Sequence, residues 1–402
     1  MPVSHQTYRE DTPCAGGLKR PEGLDRLLAA VVIVLIGLGT VFVFSAGVGL
    51  GNGPGVSRQG IQQLLLMPAA IILMLALSRL RYQVFALDGP IWRSATTYML
   101  ILSVILLILV LIPGIGVERN AARRWLLVGH GPLAVSFQPS ELGKWAALFF
   151  VLAACHRARS ALHSFGRQLL PILGVSGILI GLVAIEDFGT AAFIAILVLI
   201  GLIAGGARLR HIAALTLAGI CLFSLLLLAE PYRVQRVMAF SQPNKWADSV
   251  GYQADQSLIA LASGGPFGKG LGNGVSKYGH LPEDTTDFVF AVIGEELGFV
   301  GTTTVIILFG LLVALGLKIT LGCPDPFGKL MAFGITAALG LQAGLNIGVV
   351  AVVLPTKGIP LPFVSSGGTS LILSSAAVGI LMGIARQSNQ ARAASACGPM
   401  QT

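Results

Sequence analysis

Long apolar runs recur along the chain at roughly 26–48, 61–79, 95–113, 141–155, 169–185, 189–205, 211–229, 286–318, 329–354 and 368–385. A helix needs about 20 mostly apolar residues to cross the hydrocarbon core of a bilayer, so the pattern predicts about ten transmembrane helices. The runs at 141–155 and 169–185 are short or carry polar residues, and 286–318 is long enough to tilt or to begin before the membrane. Residues 1–25 and 387–402 are polar and predict cytoplasmic tails, the first of them disordered, around a membrane domain spanning 26–386. The longest connection, 230–285, holds Pro231, Pro243, Trp246 and the Gly-rich run GGPFGKGLGNG. Its apolar and aromatic content predicts partial folding back into the outer half of the bundle.

Orientation follows from Lys and Arg, which accumulate on the cytoplasmic side of short connections. With the N-terminus inside, the inner segments carry Lys19, Arg20 and Arg26, then Arg79, Arg81 and Arg93, then Arg157, Arg159 and Arg167. Arg208, Arg210, Lys318, Lys329, Arg386 and Arg392 continue the series. Both termini are therefore expected inside. Two outer segments break the trend: 114–140 with Arg119, Arg123 and Arg124, and 230–285 with Arg233, Arg236, Lys245, Lys269 and Lys277. Positive charge held on the outer face needs another reason.

Composition agrees with the pattern. The chain has 402 residues, 54% hydrophobic and 11% charged, and a mean hydropathy of +0.81. Soluble domains carry about 25% charged residues, so a soluble globular protein is excluded. The net charge of +9 comes from scattered short groups rather than a basic face, which argues against nucleic acid. Cys14, Cys155, Cys221, Cys323 and Cys397 are dispersed, so neither a disulfide framework nor a thiolate metal site is indicated. No cleavable signal peptide is expected, because the residues before about 26 are polar and mixed in charge.

Candidate chemistry falls in three stretches. LPEDTTDFVFAVIGEELG places Glu283, Asp284 and Asp287 at the mouth of an apolar run and Glu295 and Glu296 deeper in it, five of the chain's 18 acidic residues. Carboxylates at membrane depth are costly and face a bundle interior or a water-filled cavity. Asp287 reads either as a helix N-cap or as a general base at the outer end of a span. Glu295 and Glu296 read as structural, satisfying backbone or an arginine.

The second stretch runs from Glu118 to Phe150. Arg123, Arg124 and Trp125 stand near the expected outer interface; Gln138, Pro139 and Ser140 read as a helix start with Ser140 as N-cap. Glu141 and Lys144, three apart, share a helix face and are placed to pair. These residues are either interfacial anchors with a structural ion pair, or a cationic pocket for an anionic headgroup, where a guanidinium fork and a helix N-terminus suit phosphate. The third stretch, PTKGIPLPFVSSGGTS, has three prolines and the Gly367–Gly368 pair, and cannot continue a helix. Ser365, Ser366, Thr369 and Ser370 supply hydroxyls there, in a cavity lining or in an ordinary outer loop. The Lys269 region is no P-loop: it lacks the spacing and the Ser or Thr after Lys.

These stretches resemble, in order, three blocks of the SEDS family (shape, elongation, division and sporulation). They are RRW with QPSE-x-x-K (Arg123–Trp125, Gln138–Lys144), YQADQSLIALASGG leading into LPEDTTDF, and PTKGIPLPFVSSGGTS. The resemblance covers about 26 to 386, and PTKG before LPF and GLGNGVSKYGHLPE before TTDF are more similar to the division-type FtsW subgroup than to RodA. One departure is SSGG at Ser365–Gly368, where many relatives have SYGG. The resemblance implies an all-α SEDS fold with a large external segment between helices 7 and 8. It implies a peptidoglycan glycosyltransferase at the outer face of the bacterial cytoplasmic membrane, at the division septum. Its substrates would be lipid II and the growing lipid-linked strand, and undecaprenyl pyrophosphate would leave.

The family's proposed catalytic Asp in T-D-F matches Asp287. Substrate binding is then expected of Arg123, Arg124, Gln138, Glu141, Lys144, Lys277, Glu283, Lys357, Ser365, Ser366 and Ser370. Structural roles are expected of Trp125, Pro139, Ser140, Glu295, Glu296, Gly367 and Gly368. No resident cofactor is implied, with room for a divalent cation (Mg or Mn) at the pyrophosphate. The implied partners are a class B penicillin-binding protein transpeptidase and other divisome membrane proteins. The alternatives are a lipid II flippase or another transporter of lipid-linked substrate, which would want charged sites near the midplane and matched halves, and a noncatalytic scaffold.

Overall fold

The computed structural model describes residues 23–47, 58–119, 122–129, 135–158, 165–229, 251–278, 281–355 and 358–396, with a few positions between 234 and 240. The expectations for residues 1–22, for Lys357, for most of 230–250 and for the last six residues lie outside it.

The helices fall on the apolar runs. They are α1 (Leu24–Gly47), α2 (Arg58–Leu77), α3 (Ala95–Leu111), α4 (Pro139–Ala158), α5 (Leu170–Glu186), α6 (Phe188–Ala204) and α7 (Leu209–Leu228), followed by α8 (Tyr252–Ser263), α9 (Val289–Gly322), α10 (Pro326–Val350) and α11 (Gly368–Ala396). By length and apolarity six of them can cross a membrane: α1, α2, α7, α9, α10 and α11; α3, α5 and α6 are shorter apolar helices of 17 residues. Local chemistry sets several starts. Asp325 accepts from the Gly328 NH at 2.8 Å with Pro326 at the first position of α10, and Asp187 accepts from the Thr190 NH at 3.0 Å to cap α6.

α4 is the axis of the bundle. One side packs, through Trp145, Leu148, Phe149 and Leu152, into a core shared with α1, α9, α10 and α11. The other side, through Ala147, Val151 and Cys155, packs into a second core with α3, α5 and α6. α7 buries only Ile212 among its described residues, the exposure expected of a helix in lipid rather than water.

Between α3 and α4 the chain forms a small antiparallel sheet, which the sequence reading missed. Strands β1 (Gly116–Arg119), β2 (Ala122–Val128) and β3 (Val135–Phe137) pair in chain order, with Trp125 opposite Val117. Gly116 is required where β1 meets the end of α3, since a Cβ there would stand 2.0 Å from the Val110 oxygen.

α9 is two helices joined at Gly298, whose φ of 66° and ψ of −158° suit only glycine. The Gly-rich run straps the break. Lys269 and Gly270 donate to the Glu295 and Glu296 carbonyls at 3.0 Å each, and Phe299 and Val300 donate to the Gly265 and Pro266 carbonyls at 2.9 and 3.2 Å. Broken helix at membrane depth needs its freed NH and C=O groups re-satisfied by protein, and this loop does so.

Candidate functional site

The TTD segment sits where α9 begins, at the end of the bundle that carries the sheet. Phe288 takes the N-cap position of α9. Asp287 precedes it and is half-buried. Three consecutive carbonyls fix this segment: the Ser366 NH donates to Thr285 O at 2.8 Å, Ser365 Oγ donates to Thr286 O, and Asn346 Nδ2 donates to Asp287 O at 2.8 Å. Thr285 Oγ1 adds a 2.6 Å bond to Gln59 Oε1 on α2. The backbone of the 358–366 loop lies against the carboxylate, so that a Cβ on Gly358 would stand 2.9 Å from Asp287 Oδ2. Glu283 (φ 57°) and Phe363 (φ 66°) hold left-handed backbone on either side of this junction. Such residues cost about 1–3 kcal/mol each and persist where surrounding contacts over-determine them.

Lys144 lies under the same loop. It is 1% exposed and bonded to Glu141 Oε2 at 2.7 Å, the pairing expected from their spacing, and to Gln342 Oε1 at 2.8 Å. Gln342 Nε2 passes the contact to the Pro360 carbonyl at 2.9 Å. One turn on, Asn346 donates to the Ile359 carbonyl at 2.8 Å as well as to Asp287 O. Lys144 thus supports the loop from inside, with its charge met by Glu141. The sequence reading overlooked Gln342 and Asn346, although polar side chains four apart inside an apolar run share a helix face and were the available signal.

The arginines form a neighbouring cluster around the α5–α6 junction. The Arg123 NH donates to Glu186 Oε2 at 2.7 Å, while its guanidinium lies 3.4 Å from Glu118. Arg124 Nε donates to the Glu186 carbonyl at 2.8 Å and its NH1 stands 3.9 Å from Asp187 Oδ2. Arg123, Arg124, Glu186 and Asp187 line a narrow cleft with Pro139 and Ser140. Gln138 ties this cluster to the loop: its NH donates to Thr369 Oγ1 at 3.0 Å at the start of α11, where Gly367 and Gly368 lead in and Ser370 is buried.

Two expectations need correction. Ser140 is not the cap of α4: Pro139, which has no NH to satisfy, takes the first helical position, and Ser140 Oγ is buried without a hydrogen-bond partner among the described residues. Lys277 does not face an open cavity; it is 2% exposed and 3.1 Å from Glu296 Oε1, which also accepts from Ser45 Oγ at 2.9 Å. Of the two alternatives for Glu295 it is the backbone that it meets, accepting from the Val275 and Ser276 NH groups at 2.9 and 3.1 Å, and it also pairs with Lys269 Nζ at 2.7 Å. Both lysines come from the loop that straps the α9 break. Among the described residues no three His, Cys, Asp or Glu side chains converge as metal ligands.

Long apolar helices, a helix broken at membrane depth and polar groups gathered at one end define a polytopic integral membrane protein. Residues 25–390 match the family grouping FtsW, RodA and SpoVE, described as "Cell cycle protein". The chain belongs to this family, and like its members it is a multi-pass protein of a bacterial membrane. It is 39% identical over 371 residues to the probable peptidoglycan glycosyltransferase FtsW of Nitrosomonas europaea, covering 91% of this chain and 93% of that one. It is 36% identical over 301 residues to the stage V sporulation protein E of Bacillus subtilis, covering 74% and 80%. Among solved structures, it is similar to a chain from a study of how polymerization and crosslinking are coordinated by a peptidoglycan synthase complex, at a TM-score of 0.69 and 27% identity, covering 91% and 98%. The crystal structure of the rod shape determining protein RodA of Thermus thermophilus is similar at 0.61 and 28%, covering 90% and 96%.

Proposed function

We propose that this chain is a peptidoglycan glycosyltransferase that polymerises lipid II into glycan strands, with Asp287 as general base. The observation carrying the assignment of Asp287 is a contrast among acids. Glu295 and Glu296 are 2% and 0% exposed, sealed in the interior, whereas Asp287 is half-buried and keeps access to solvent next to Gly358. A carboxylate with solvent access and a fixed backbone suits proton transfer; fully buried carboxylates suit support.

Asp287 takes the proton from the 4-hydroxyl of the acceptor sugar. That oxygen attacks the anomeric carbon of the lipid-linked donor, the bond from that carbon to the pyrophosphate oxygen breaks, and the anomeric centre inverts. Negative charge collects on the leaving undecaprenyl pyrophosphate. Arg124, 40% exposed in its side chain, offers a guanidinium to it, with Arg123 beside it and the α4 N-terminus lining the same cleft.

The orientation places this end outside and spans the membrane ten times, with α4 and the three 17-residue helices crossing too. Support comes from the basic residues at the opposite end, among them Arg79, Arg81, Arg157, Arg208, Lys318 and Arg386. The partner is a single-span class B transpeptidase within a synthase complex that also crosslinks strands, in the division machinery.

The test is polymer formation from labelled lipid II by the full chain purified with its transpeptidase. Asp287→Ala removes product, a loss of about 10²-fold or more, while expression and the complex persist. Retained polymerisation by that variant sinks the base assignment. Lipid II crossing liposomes without being polymerised favours transport instead.

A further inference from the structure

We infer that Asn346 and Ser365 are positioning residues for the transfer, acting on Asp287 through its main chain. The inference rests on the reading of Asp287 as base. Three features on α10 and the 359–366 loop carry it. Asn346 is 1% exposed, and its amide donates both hydrogens, to Asp287 O and to Ile359 O at 2.8 Å each. Two carbonyl partners fix which end of the amide is nitrogen. One side chain therefore clamps the peptide carrying the base to the loop whose backbone lies against that base.

Ser365 does the same one residue earlier. It is 3% exposed, donates to Thr286 O and accepts from the Leu361 NH at 2.8 Å. The Ser366 NH completes the set at Thr285 O. The three bonds tie consecutive carbonyls, leaving the Thr285–Asp287 backbone little freedom to rotate, so the direction in which the carboxylate leaves the main chain is fixed.

The grip at 366 uses a main-chain NH, which any residue but proline supplies, whereas the grip at 365 uses a hydroxyl. Gln342, one turn before Asn346, holds Pro360 O and rests on Lys144, so the loop side of the clamp is itself anchored to α4.

The discriminating substitution is Asn346→Leu, which keeps the volume and removes two donors together with an Oδ1 that is buried without a partner among the described residues. A residue that merely fills the interior tolerates Leu in both folding and turnover. A positioning residue gives a folded variant, with an unchanged or raised unfolding midpoint, whose kcat for lipid II polymerisation falls at least about tenfold while KM stays within about twofold. Ser365→Ala, which deletes one hydroxyl and two bonds, gives the same split and serves if the Leu variant does not fold. Wild-type kcat in either folded variant overturns the inference, as does a fall in kcat that only tracks lost folded protein. Asp287→Ala in the same assay keeps the outcomes apart: its activity reports on the base, whatever Asn346 does.

Discussion

The Lys277 ammonium lies 3.1 Å from the Glu296 carboxylate, and the two side chains are 2% and 0% exposed. This pair closes the C-terminal end of the strap over the broken α9. Lys269 and Glu295, at 2.7 Å, close the other end. Breaking a buried pair from one side strands a charge, at a cost of about 3–5 kcal/mol, whereas replacing both partners by apolar groups is close to neutral. Lys277→Met is therefore expected to lower the unfolding midpoint sharply in detergent, and Lys277→Met with Glu296→Leu to recover most of the loss. A single substitution that weakens lipid II binding without touching stability returns Lys277 to the substrate.

Gly298→Ala tests the break itself. The backbone there is open to glycine alone, and a Cβ would stand 2.4 Å from the Gly268 nitrogen, so the strap must leave or the helix must distort. The expected result is a loss of folded protein on size-exclusion chromatography. Gly310→Ala, in the same helix with open space around it, is expected to be neutral or to stabilise by about 0.5–1 kcal/mol.

These features show what the sequence could and could not convey. The helices were legible because a span is local: about 20 apolar residues announce themselves wherever they fold. The Glu141–Lys144 pair was legible for the same reason, since three residues on a helix fix a shared face. The sheet was not, because β1 and β3 have 4 and 3 residues and their pairing is set across the connection rather than within it. Nor were the partners of Lys269 and Lys277. Each lies in a Gly-rich loop, and only the break at Gly298, one of 51 glycines, brings Glu295 and Glu296 to them. Asp287 was legible through its family block, but the grip on its backbone crosses from 287 to 346 and from 286 to 365. Such contacts follow from packing, which no local pattern encodes.

Asp284 gives the site a pH dependence of stability. It is 7% exposed with its Oδ2 buried and unpartnered among the described residues. Burial pushes its pKa up to about 6; the Thr285 NH opposes this, Glu283 adds to it and Lys277 draws it down. The folded state thus holds the proton more tightly than the unfolded chain, whose value is 3.8. Its contribution is complete below that value, is lost as pH rises through about 6, and corresponds to about 3 kcal/mol at most. Asp284→Asn is neutral throughout, so the stability difference between wild type and variant should move toward the variant by up to that amount between pH 4 and pH 8. Parallel unfolding curves across that range exclude the assignment.

A Cβ on Gly358 would stand 2.9 Å from Asp287 Oδ2, which predicts a steric effect on turnover. A methyl group at 358 meets the carboxylate oxygen itself, so Gly358→Ala must turn the carboxylate or shift the loop that Asn346 and Gln342 hold. Either displaces the base by a few tenths of an ångström to an ångström, which costs up to about 10²-fold in rate when the reacting geometry is tight. The expected outcome is a fall in kcat with folding preserved, read from single-turnover polymerisation. Wild-type turnover in this variant places the reacting proton away from Oδ2.

Asp187 separates the two duties of the arginine cluster. Its carboxylate caps α6 through the Thr190 NH at 3.0 Å and Thr190 Oγ1 at 2.8 Å, and it also stands 3.9 Å from the Arg124 guanidinium. Asp187→Asn keeps an oxygen for the cap but removes the charge that offsets Arg124. A partly exposed pair at that distance is worth about 0–1 kcal/mol. If Arg124 receives the pyrophosphate, freeing its charge lowers KM for lipid II by up to about fivefold, with kcat and the unfolding midpoint little changed. Asp187→Ala loses the cap as well, about 1 kcal/mol of stability, so it should lower KM and the midpoint together. A KM that rises or stays fixed in Asp187→Asn would leave Arg124 as a structural link to Glu186, and the leaving group would have to meet its positive charge elsewhere.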